Sequence, residues 1–370
     1  MKSFLRYALP TLFALTMIGC TDQGPHSGNT TVNQPVPSAS PSPSATQEVV
    51  HSPLTLPVLD ALLTNDTFNS ALKSKLQLTT EQIDSLKRVS SSEVARLRQS
   101  NAEDLNSDPA DARSRASDQI AAVIGQEKTN QLSSLVADAW ANGGTEVETG
   151  KNGELKMSLK PNAVPTDTRI VVNIPEFRMD LFKNGELVKS YKIGIGYPEF
   201  PLPQGLRKAQ TIIFNPTWTP PDSPWVASMK NVAPGEKIEA GSKDNPLGPI
   251  KIPIGMPSLI HGGKSPAKLG QFASHGCVGL TNAQVKDFAK QLAQATETQL
   301  SEKALAAYLQ DRTKTSVVKL KQTVPVELRY ETIVIEDGRL HIYKDVYDQN
   351  TNTEENLRLV LEANGSHLED

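Results

Sequence analysis

Apolar residues recur at helical spacing in the segment 54–143. One set consists of Ile83, Leu86 and Val89, and a second set with a similar period comprises Ile120, Ile124, Leu132, Val136 and Trp140. Thr79 or Thr80 stands before the first set and is a suitable N-cap, because a threonine hydroxyl can accept a hydrogen bond from the first helical turn. The pattern predicts an amphipathic helical hairpin, which we interpret as a spacer or docking arm.

From Thr168 onwards the pattern becomes typical of strands. The stretch TRIVVNI is rich in β-branched residues, and the next one, FRMDLFKNGELVKSYKIGIG, contains Asn184-Gly185, the strongest short hairpin signal. A further strand-prone stretch is QTIIFNPTWTPP, which carries Trp218. These segments predict a sheet that is built at least partly from antiparallel hairpins.

Helices and strands both follow in the C-terminal part. Thr281 and Gln284 have the spacing of a capping box, and the residues after them form one apolar helical face: Val285, Phe288, Ala289 and Leu292. A second short helix is predicted around 304–310, and later strands meet at Asp337-Gly338. The predicted fold class is α+β: a β-dominated domain with one or two short helices, preceded by a separate helical segment.

The N-terminus has the features of an export signal. Lys2 and Arg6 precede an apolar run, 7–18, that is too short to span a bilayer as a mature helix. The run ends in Met17-Ile18-Gly19-Cys20, which resembles a bacterial lipoprotein signal with Cys20 as the lipidated residue. The alternative is an ordinary secretory signal in which Cys20 is incidental. Either interpretation predicts an exported protein, and the former predicts a lipid anchor on the periplasmic side of a membrane.

Composition narrows the possible partners. Residues 21–53 are rich in Pro, Ser and Thr, which predicts a disordered tether after the signal peptide 1–20. The net charge of −3 gives no electrostatic argument for nucleic-acid binding. The sequence has no GxGxxG after a strand, no GxxxxGK[ST] and no HExxH, so no cofactor is predicted.

The chemistry concentrates in SLIHGGKSPAKLGQFASHGCVGLTN, residues 258–282. Cys277 could be a nucleophile with a histidine as its base, since an imidazole favours the reactive thiolate. Alternatively, His261, His275 and Cys277 could bind zinc, although their spacing matches no familiar ligand pattern. A third possibility is structural, with a buried cysteine and two hydrogen-bonded histidines. The residues alone leave all three open.

A family resemblance favours the first possibility. IHGG followed by SHGCVGL looks like the signature of the L,D-transpeptidase catalytic domain, the bacterial enzymes that crosslink peptidoglycan. The strand-rich opening, NPTWTPP and NPLGP also resemble segments of that family. The resemblance covers roughly 168–328 and implies that 329–370 is a C-terminal β extension and tail.

The resemblance implies a role for each matching residue. Cys277 would be the acylated nucleophile and His261 the general base, with the carbonyl of Gly262 orienting the ring. His275 and Gly276 would complete the catalytic pocket, and three further residues would line the substrate site: Ser274, Gly279 and Trp218. No metal is implied.

One position departs from the family pattern. Gly279 stands where members usually carry Arg or Asn, so a side chain that could hydrogen-bond within the site is missing. Lys264 or Lys268 could compensate for it.

The implied reaction is attack on a peptidoglycan stem tetrapeptide, with release of D-alanine and transfer of the acyl group to an amine. Alternatives are hydrolysis of the same acyl-enzyme, anchoring or release of an envelope protein, and a non-catalytic wall-binding lipoprotein. The LTxxQ form at 78–82 resembles small helical periplasmic stress proteins, so the helical segment could also contact an envelope protein.

Overall fold

The computed structural model describes residues 53–99, 108–141, 160–220, 226, 231–233, 235–255 and 257–366. The predicted signal peptide with Cys20, and the tether up to residue 52, lie outside the described residues. No helix within the described ranges is long and apolar enough to cross a membrane.

The described part of the N-terminal segment contains five helices: α1 Leu56–Leu63, α2 Asp66–Lys75, α3 Thr80–Gln99, α4 Pro109–Ile124 and α5 Gln126–Ala141. Their apolar faces share one core, in which Leu59, Leu72, Leu86, Ile120 and Leu132 are fully buried. Thr79 caps α3 reciprocally, because its hydroxyl accepts from the Gln82 amide at 3.2 Å and its own amide donates to Gln82 Oε1 at 3.0 Å. The predicted helical segment is confirmed, as a multi-helix bundle instead of a hairpin.

Twelve strands build the described part of the sheet domain. They are β1 Arg169–Asn173, β2 Arg178–Lys183, β3 Glu186–Lys192, β4 Ile195–Gly196, β5 Gly205–Phe214, β6 Ile250–Pro253, β7 Leu259–Lys264, β8 Phe272–Ser274, β9 Val278–Thr281, β10 Ser316–Arg329, β11 Ile333–Glu336 and β12 Arg339–Ile342. Eight of them form one sheet in the order β3-β2-β1-β10-β5-β6-β7-β9, in which the β1–β10 and β7–β9 pairs are parallel. Two smaller pairs, β4–β8 and β11–β12, complete the strands.

Both predicted hairpins are present. Asn184 and Gly185 join β2 to β3 with φ angles of 50° and 87°. Asp337 and Gly338 join β11 to β12 with φ angles of 51° and 71°. Two consecutive residues with positive φ define the turn whose twist matches that of paired strands, so the local sequence sets the register of each hairpin.

Three helices follow the site sequence: α6 Asn282–Ala295, α7 Glu302–Gln310 and α8 Glu354–Ala363. α6 begins directly after β9 and has the predicted capping box of Thr281 and Gln284. Its apolar face packs on the sheet core, with Phe288 fully buried. The predicted α+β class is therefore confirmed. The sequence analysis did not anticipate α8, which is largely exposed and buries only Val360.

The helical segment packs against the sheet domain through polar contacts. The Thr55 hydroxyl donates to the Glu199 carbonyl at 2.7 Å, and the Arg115 guanidinium pairs with the buried Glu199 carboxylate at 2.7 Å. Arg207 on β5 donates to the Trp140 carbonyl at the end of α5 and to the Gly255 carbonyl after β6. These bonds satisfy charged groups that would be costly to bury alone, so the helices complete the packing of the domain.

Candidate active site

The parallel β7–β9 pairing brings the two halves of the site sequence together. Ile260 pairs with Val278 and His261 pairs with Gly279. Ile260 and Val278 are fully buried in the core beneath the sheet. Because successive side chains on a strand point to opposite faces, His261 projects from the other face of β7. Cys277 lies in the bend directly before β9, two residues from Gly279, which pairs with His261.

Backbone carbonyls orient the His261 ring. Its Nδ1 lies 2.7 Å from the Gly262 carbonyl oxygen, and a carbonyl can only accept, so Nδ1 carries the proton. Nε2 is therefore the basic nitrogen of the neutral ring. Burial, followed by the charge of Lys264, lowers the pKa of His261 to about 3. The imidazole is thus neutral near pH 7.

Gly262 is packed too closely for any side chain. A Cβ atom there would lie 2.8 Å from Val285 Cγ1 and 2.9 Å from Asn282 Oδ1, both in the first turn of α6. The strand that carries His261 can therefore approach α6 only because residue 262 has no side chain, and this approach also fixes the carbonyl that orients the ring.

We expect Gly262→Ala to destabilise the fold by about 1–3 kcal/mol, because the new methyl group must displace Val285 or Asn282. Urea unfolding followed by circular dichroism measures the effect. A variant with unchanged stability would show that α6 yields to the methyl group without cost, and it would contradict this explanation of the glycine.

A hydrogen-bonded turn presents the thiol. Ser274 Oγ donates to the Cys277 carbonyl at 2.6 Å and accepts from the Cys277 amide at 2.9 Å. Gly276, within the turn, has a φ of 92°, a conformation that side chains disfavour. Its carbonyl accepts from Ser258 Oγ at 2.7 Å. Ser274 is buried, and its hydroxyl braces the turn. Contact between Ser274 and a substrate stays a prediction.

Cys277 is a free cysteine with a partly exposed side chain. Burial of the sulfur raises the pKa of the thiol above its ordinary value. A hydrogen bond from the Leu259 backbone opposes this shift, as do the charges of three cations: Lys264, Arg207 and Lys251. Burial therefore keeps the thiol protonated near neutral pH, although the residue as a whole is partly exposed.

His275 forms one wall of the turn. Its ring lies 4.7 Å from the Phe200 ring and 5.4 Å from the Tyr197 ring, measured between centroids. Burial lowers the pKa of His275 to about 3, so this ring is also neutral. The two aromatic residues belong to the segment that carries Glu199, so the helical segment contacts the loop that packs on His275.

Trp218 lies in a small apolar cluster with Val226, Val232, Ile238 and Leu247, and Leu259 packs against it. The tryptophan is 8% exposed. Leu247 and Leu259 are the residues whose backbone groups bond the His261 ring and the Cys277 thiol. Trp218 therefore supports the backbone around the site, and its direct contact with substrate stays a prediction.

The stem of Lys264 covers Gly279. A Cβ atom on Gly279 would lie 2.8 Å from Lys264 Cγ and 3.0 Å from Lys264 Cε. Lys268, in the 3-10 turn Pro266–Lys268, is exposed. Of the two lysines that the sequence offered to compensate at position 279, the structure brings Lys264 to that position.

Sequence reasoning missed several residues around the site. Arg207 and Lys251 come from β5 and β6, and Ser258 and Asn282 bond the backbone of the two motifs. For Ser258 and Asn282, the only sequence signal is their position next to the two motifs. Arg207 and Lys251 carry no sequence signal, because only the strand order brings β5 and β6 near β7. The described ranges contain no group of three or more His, Cys, Asp or Glu side chains placed to hold a metal ion.

Comparison with known proteins shows similarity to one family over the sheet domain. Residues 167–318 match the YkuD family model, described as the L,D-transpeptidase catalytic domain. Probable L,D-transpeptidase ErfK/SrfK of Escherichia coli K12 is 30% identical over 179 residues, covering 45% of this chain and 53% of the relative. Probable L,D-transpeptidase YbiS of the same strain is 27% identical over 172 residues, covering 45% and 56%. The chain thus spans about half the length of the curated relatives it matches.

Solved structures give weaker likenesses. The catalytic domain of the E. faecium L,D-transpeptidase, determined by NMR, is 17% identical with a TM-score of 0.29, covering 45% of this chain and all of that one. This TM-score is too low to support a structural argument. The family model and the two relatives agree: residues 167–318 of this chain match the model of the L,D-transpeptidase catalytic domain, and both relatives are probable L,D-transpeptidases.

Proposed function

We propose that this domain is a peptidoglycan L,D-transpeptidase in which Cys277 is the nucleophile and His261 the general base. The observation that carries the proposal is the β7–β9 register, which places His261 beside Gly279, two residues after Cys277, with the His261 ring held by the Gly262 carbonyl. The partial exposure of Cys277 supports it, because a nucleophile must be reachable. The similarity to the L,D-transpeptidase catalytic domain supports peptidoglycan stem peptides as the substrate class.

The proposed acylation transfers one proton twice. As Cys277 Sγ attacks the carbonyl carbon of the third stem residue, its proton moves to Nε2 of His261. The tetrahedral intermediate then breaks its C–N bond, and His261 returns the proton to the departing D-alanine amine. A thioester on Cys277 remains. In the second half, an acceptor amine gives its proton to His261, attacks the thioester and releases the thiol.

Backbone donors near the turn are assigned to the oxyanion. The Cys277 amide already donates to Ser274 Oγ, so it can serve only if that hydrogen bond is shared or released. We therefore assign this role to the backbone amides of His275 and Gly276. Because Ser274 braces the turn, these amides need no reorganisation during the reaction, which is the condition for effective electrostatic stabilisation.

The two pKa shifts favour a neutral thiol–imidazole pair over an ion pair. The pKa of Cys277 is raised and that of His261 is lowered, both first of all by burial. A proton therefore stays on sulfur until substrate arrives, and the base acts during the attack. This arrangement protects the thiol from oxidation outside the cytoplasm, since the thiolate is the form that oxidises.

The neutral pair makes a testable prediction for thiol reactivity. We expect the rate of Cys277 alkylation by iodoacetamide to rise with pH, with a midpoint above the value of about 8.5 for a free cysteine. The sign follows from the raised thiol pKa, because less thiolate is present at any pH below the midpoint. A cysteine peptide alkylated in the same buffers is the control. A midpoint below that of the peptide would indicate an ion pair.

We also propose that the protein acts in the cell envelope. The N-terminal sequence supports export and lipid attachment through Cys20, and the helical segment offers a surface for an envelope protein. The mass of the mature N-terminal peptide from a bacterial membrane fraction tests lipid attachment, and an unmodified or uncleaved Cys20 would contradict it.

Incubation with purified disaccharide-tetrapeptide, followed by mass analysis of the products, tests the catalytic proposal. Dimers together with free D-alanine are the expected products. Tripeptide with D-alanine would show that water captures the acyl-enzyme, and the chain would then be an L,D-carboxypeptidase. Unchanged tetrapeptide, in a sample that binds purified cell walls, would contradict catalysis and favour a wall-binding lipoprotein.

A further inference from the structure

A bulge in β7 turns Lys264 back over the neighbouring strand. His261 pairs with Gly279, but Lys264 pairs with Thr281, so β7 has one more residue than β9 between these two pairs. Gly263, within this interval, has a φ of 84°. An extra residue of this kind bends the strand and redirects a side chain. The Lys264 stem consequently lies over Gly279, with Cε 3.0 Å from the position of a Cβ atom there.

This placement puts Lys264 on the face that carries the reacting groups. Gly279 lies directly across from His261, and Cys277 precedes Gly279 by two residues. On the opposite side of His261, Lys251 pairs with it across the β6–β7 ladder. His261 therefore has a lysine on each side on the same face of the sheet: Lys251 from β6 and Lys264 over Gly279 of β9.

Charge around the thiol is positive. The three charged groups with the largest effect on Cys277 are Lys264, Arg207 and Lys251, all cations. Lys264 also acts on both neutral histidines, His261 and His275. Arg207 is buried and donates to the carbonyls of Trp140 and Gly255, so its side chain is fixed by the fold. Lys264 is half-buried and lies at the site itself.

We propose that Lys264 is a specificity-determining residue whose ammonium group binds a substrate carboxylate next to the scissile amide. The proposal rests on the proposed function, because that function supplies a peptide with carboxylates close to the reacting carbonyl. The departing D-alanine carries a terminal carboxylate. Because D-alanine directly follows the attacked carbonyl, and consecutive Cα atoms are about 3.8 Å apart, this carboxylate lies close to the reacting carbon. A carboxylate on the third stem residue is the second source of the same chemistry.

Binding of this kind would select acidic peptides over neutral ones. A hydrogen bond between ionised partners in a partly dry site is stronger than a neutral one. Loss of one such bond corresponds to about a tenfold to hundredfold change in kcat/KM. A lysine that acted only on the thiol would change the rate for every substrate by the same factor. Discrimination between acidic and amidated substrates therefore distinguishes the two roles.

The test compares three substrates on three proteins. The substrates are disaccharide-tetrapeptide, the same peptide with its terminal carboxylate amidated, and the same peptide with its internal carboxylates amidated. The proteins are the wild-type chain, Lys264→Gln, and Lys268→Gln as the matched control on the exposed 3-10 turn. D-Alanine or D-alaninamide release gives kcat/KM for each pair.

Wild type and Lys268→Gln are expected to prefer the acidic peptide over one of the amidated peptides by about tenfold or more, mainly through KM. Whichever amidation removes the preference identifies the carboxylate. Lys264→Gln is expected to lose this preference, because its kcat/KM should fall for the acidic peptide alone. If Lys264→Gln keeps the wild-type preference, the proposal is wrong. If wild type releases nothing from any peptide, the proposed function itself fails.

A relocated cation provides a second, independent test. The three atoms nearest to a Cβ on Gly279 all belong to Lys264, so Lys264→Ala opens the space for a side chain at 279. We expect the double variant Lys264→Ala/Gly279→Lys to regain part of the preference for the acidic peptide that Lys264→Ala has lost. Recovery of activity on all substrates alike would point to thiol tuning and would overturn the assignment. Thermal unfolding of each variant identifies any that fails to fold.

Discussion

Replacement of Cys277 by serine is expected to abolish D-alanine release and crosslink formation, lowering the rate by at least about 10⁴-fold. A serine hydroxyl has nearly the size of the thiol but is a far weaker acid, and the neutral His261 cannot remove its proton efficiently. Stability should change little, since the turn around residue 277 is held by Ser274 through backbone atoms and not through sulfur.

The control for Cys277→Ser is its unfolding curve, which should overlay that of the wild-type protein. Binding to purified cell walls should also persist, because binding requires only the surface of the site. A serine variant that still releases D-alanine at a comparable rate would refute the nucleophile. Loss of both binding and fold would instead show that the sulfur has a packing role.

Replacement of His261 by glutamine should lower peptide turnover by about 10²–10⁴-fold, the usual contribution of a general base. Glutamine can still donate to the Gly262 carbonyl, so the strand should keep its conformation. The essential proton transfer is lost, because the amide has no basic nitrogen. Turnover of disaccharide-tetrapeptide at pH 7.5 measures this effect.

Alkylation separates the base from the nucleophile. At a pH above the raised pKa of Cys277, sulfur is already a thiolate and needs no base. The alkylation rate of His261→Gln should then equal that of the wild-type protein, although peptide turnover stays low. Equal losses in both reactions would mean that the substitution has disturbed the thiol, and the base assignment would fail.

Local sequence rules predicted much of the fold. Each hairpin turn is determined by two adjacent residues, Asn184-Gly185 in one and Asp337-Gly338 in the other. The start of α6 is determined by a capping box of four residues, from Thr281 to Gln284. These features depend on neighbouring residues alone, so no knowledge of the rest of the chain is required. α8 was not predicted, and in the structure it buries only Val360.

Sequence motifs indicated some of the candidate site residues. Residues that only the strand order brings to the site were missed. His261 and Cys277 were chosen from sequence, and their catalytic roles remain predictions. Lys251 and Arg207 reach the site only because β5, β6 and β7 are adjacent in the sheet. The position of Lys264 over Gly279 depends on one extra residue in β7. No periodicity in the sequence reveals such a bulge.

Arg207 has a consequence for how this protein can be divided. The match to the family model begins at 167, yet one acceptor for this buried guanidinium is the carbonyl of Trp140, and an ion-pair partner of buried Glu199 is Arg115. A fragment cut at the family boundary would keep every proposed reacting group but remove one partner from each of these two buried charged groups. The segment that matches the family model is therefore shorter than the segment whose parts must fold together.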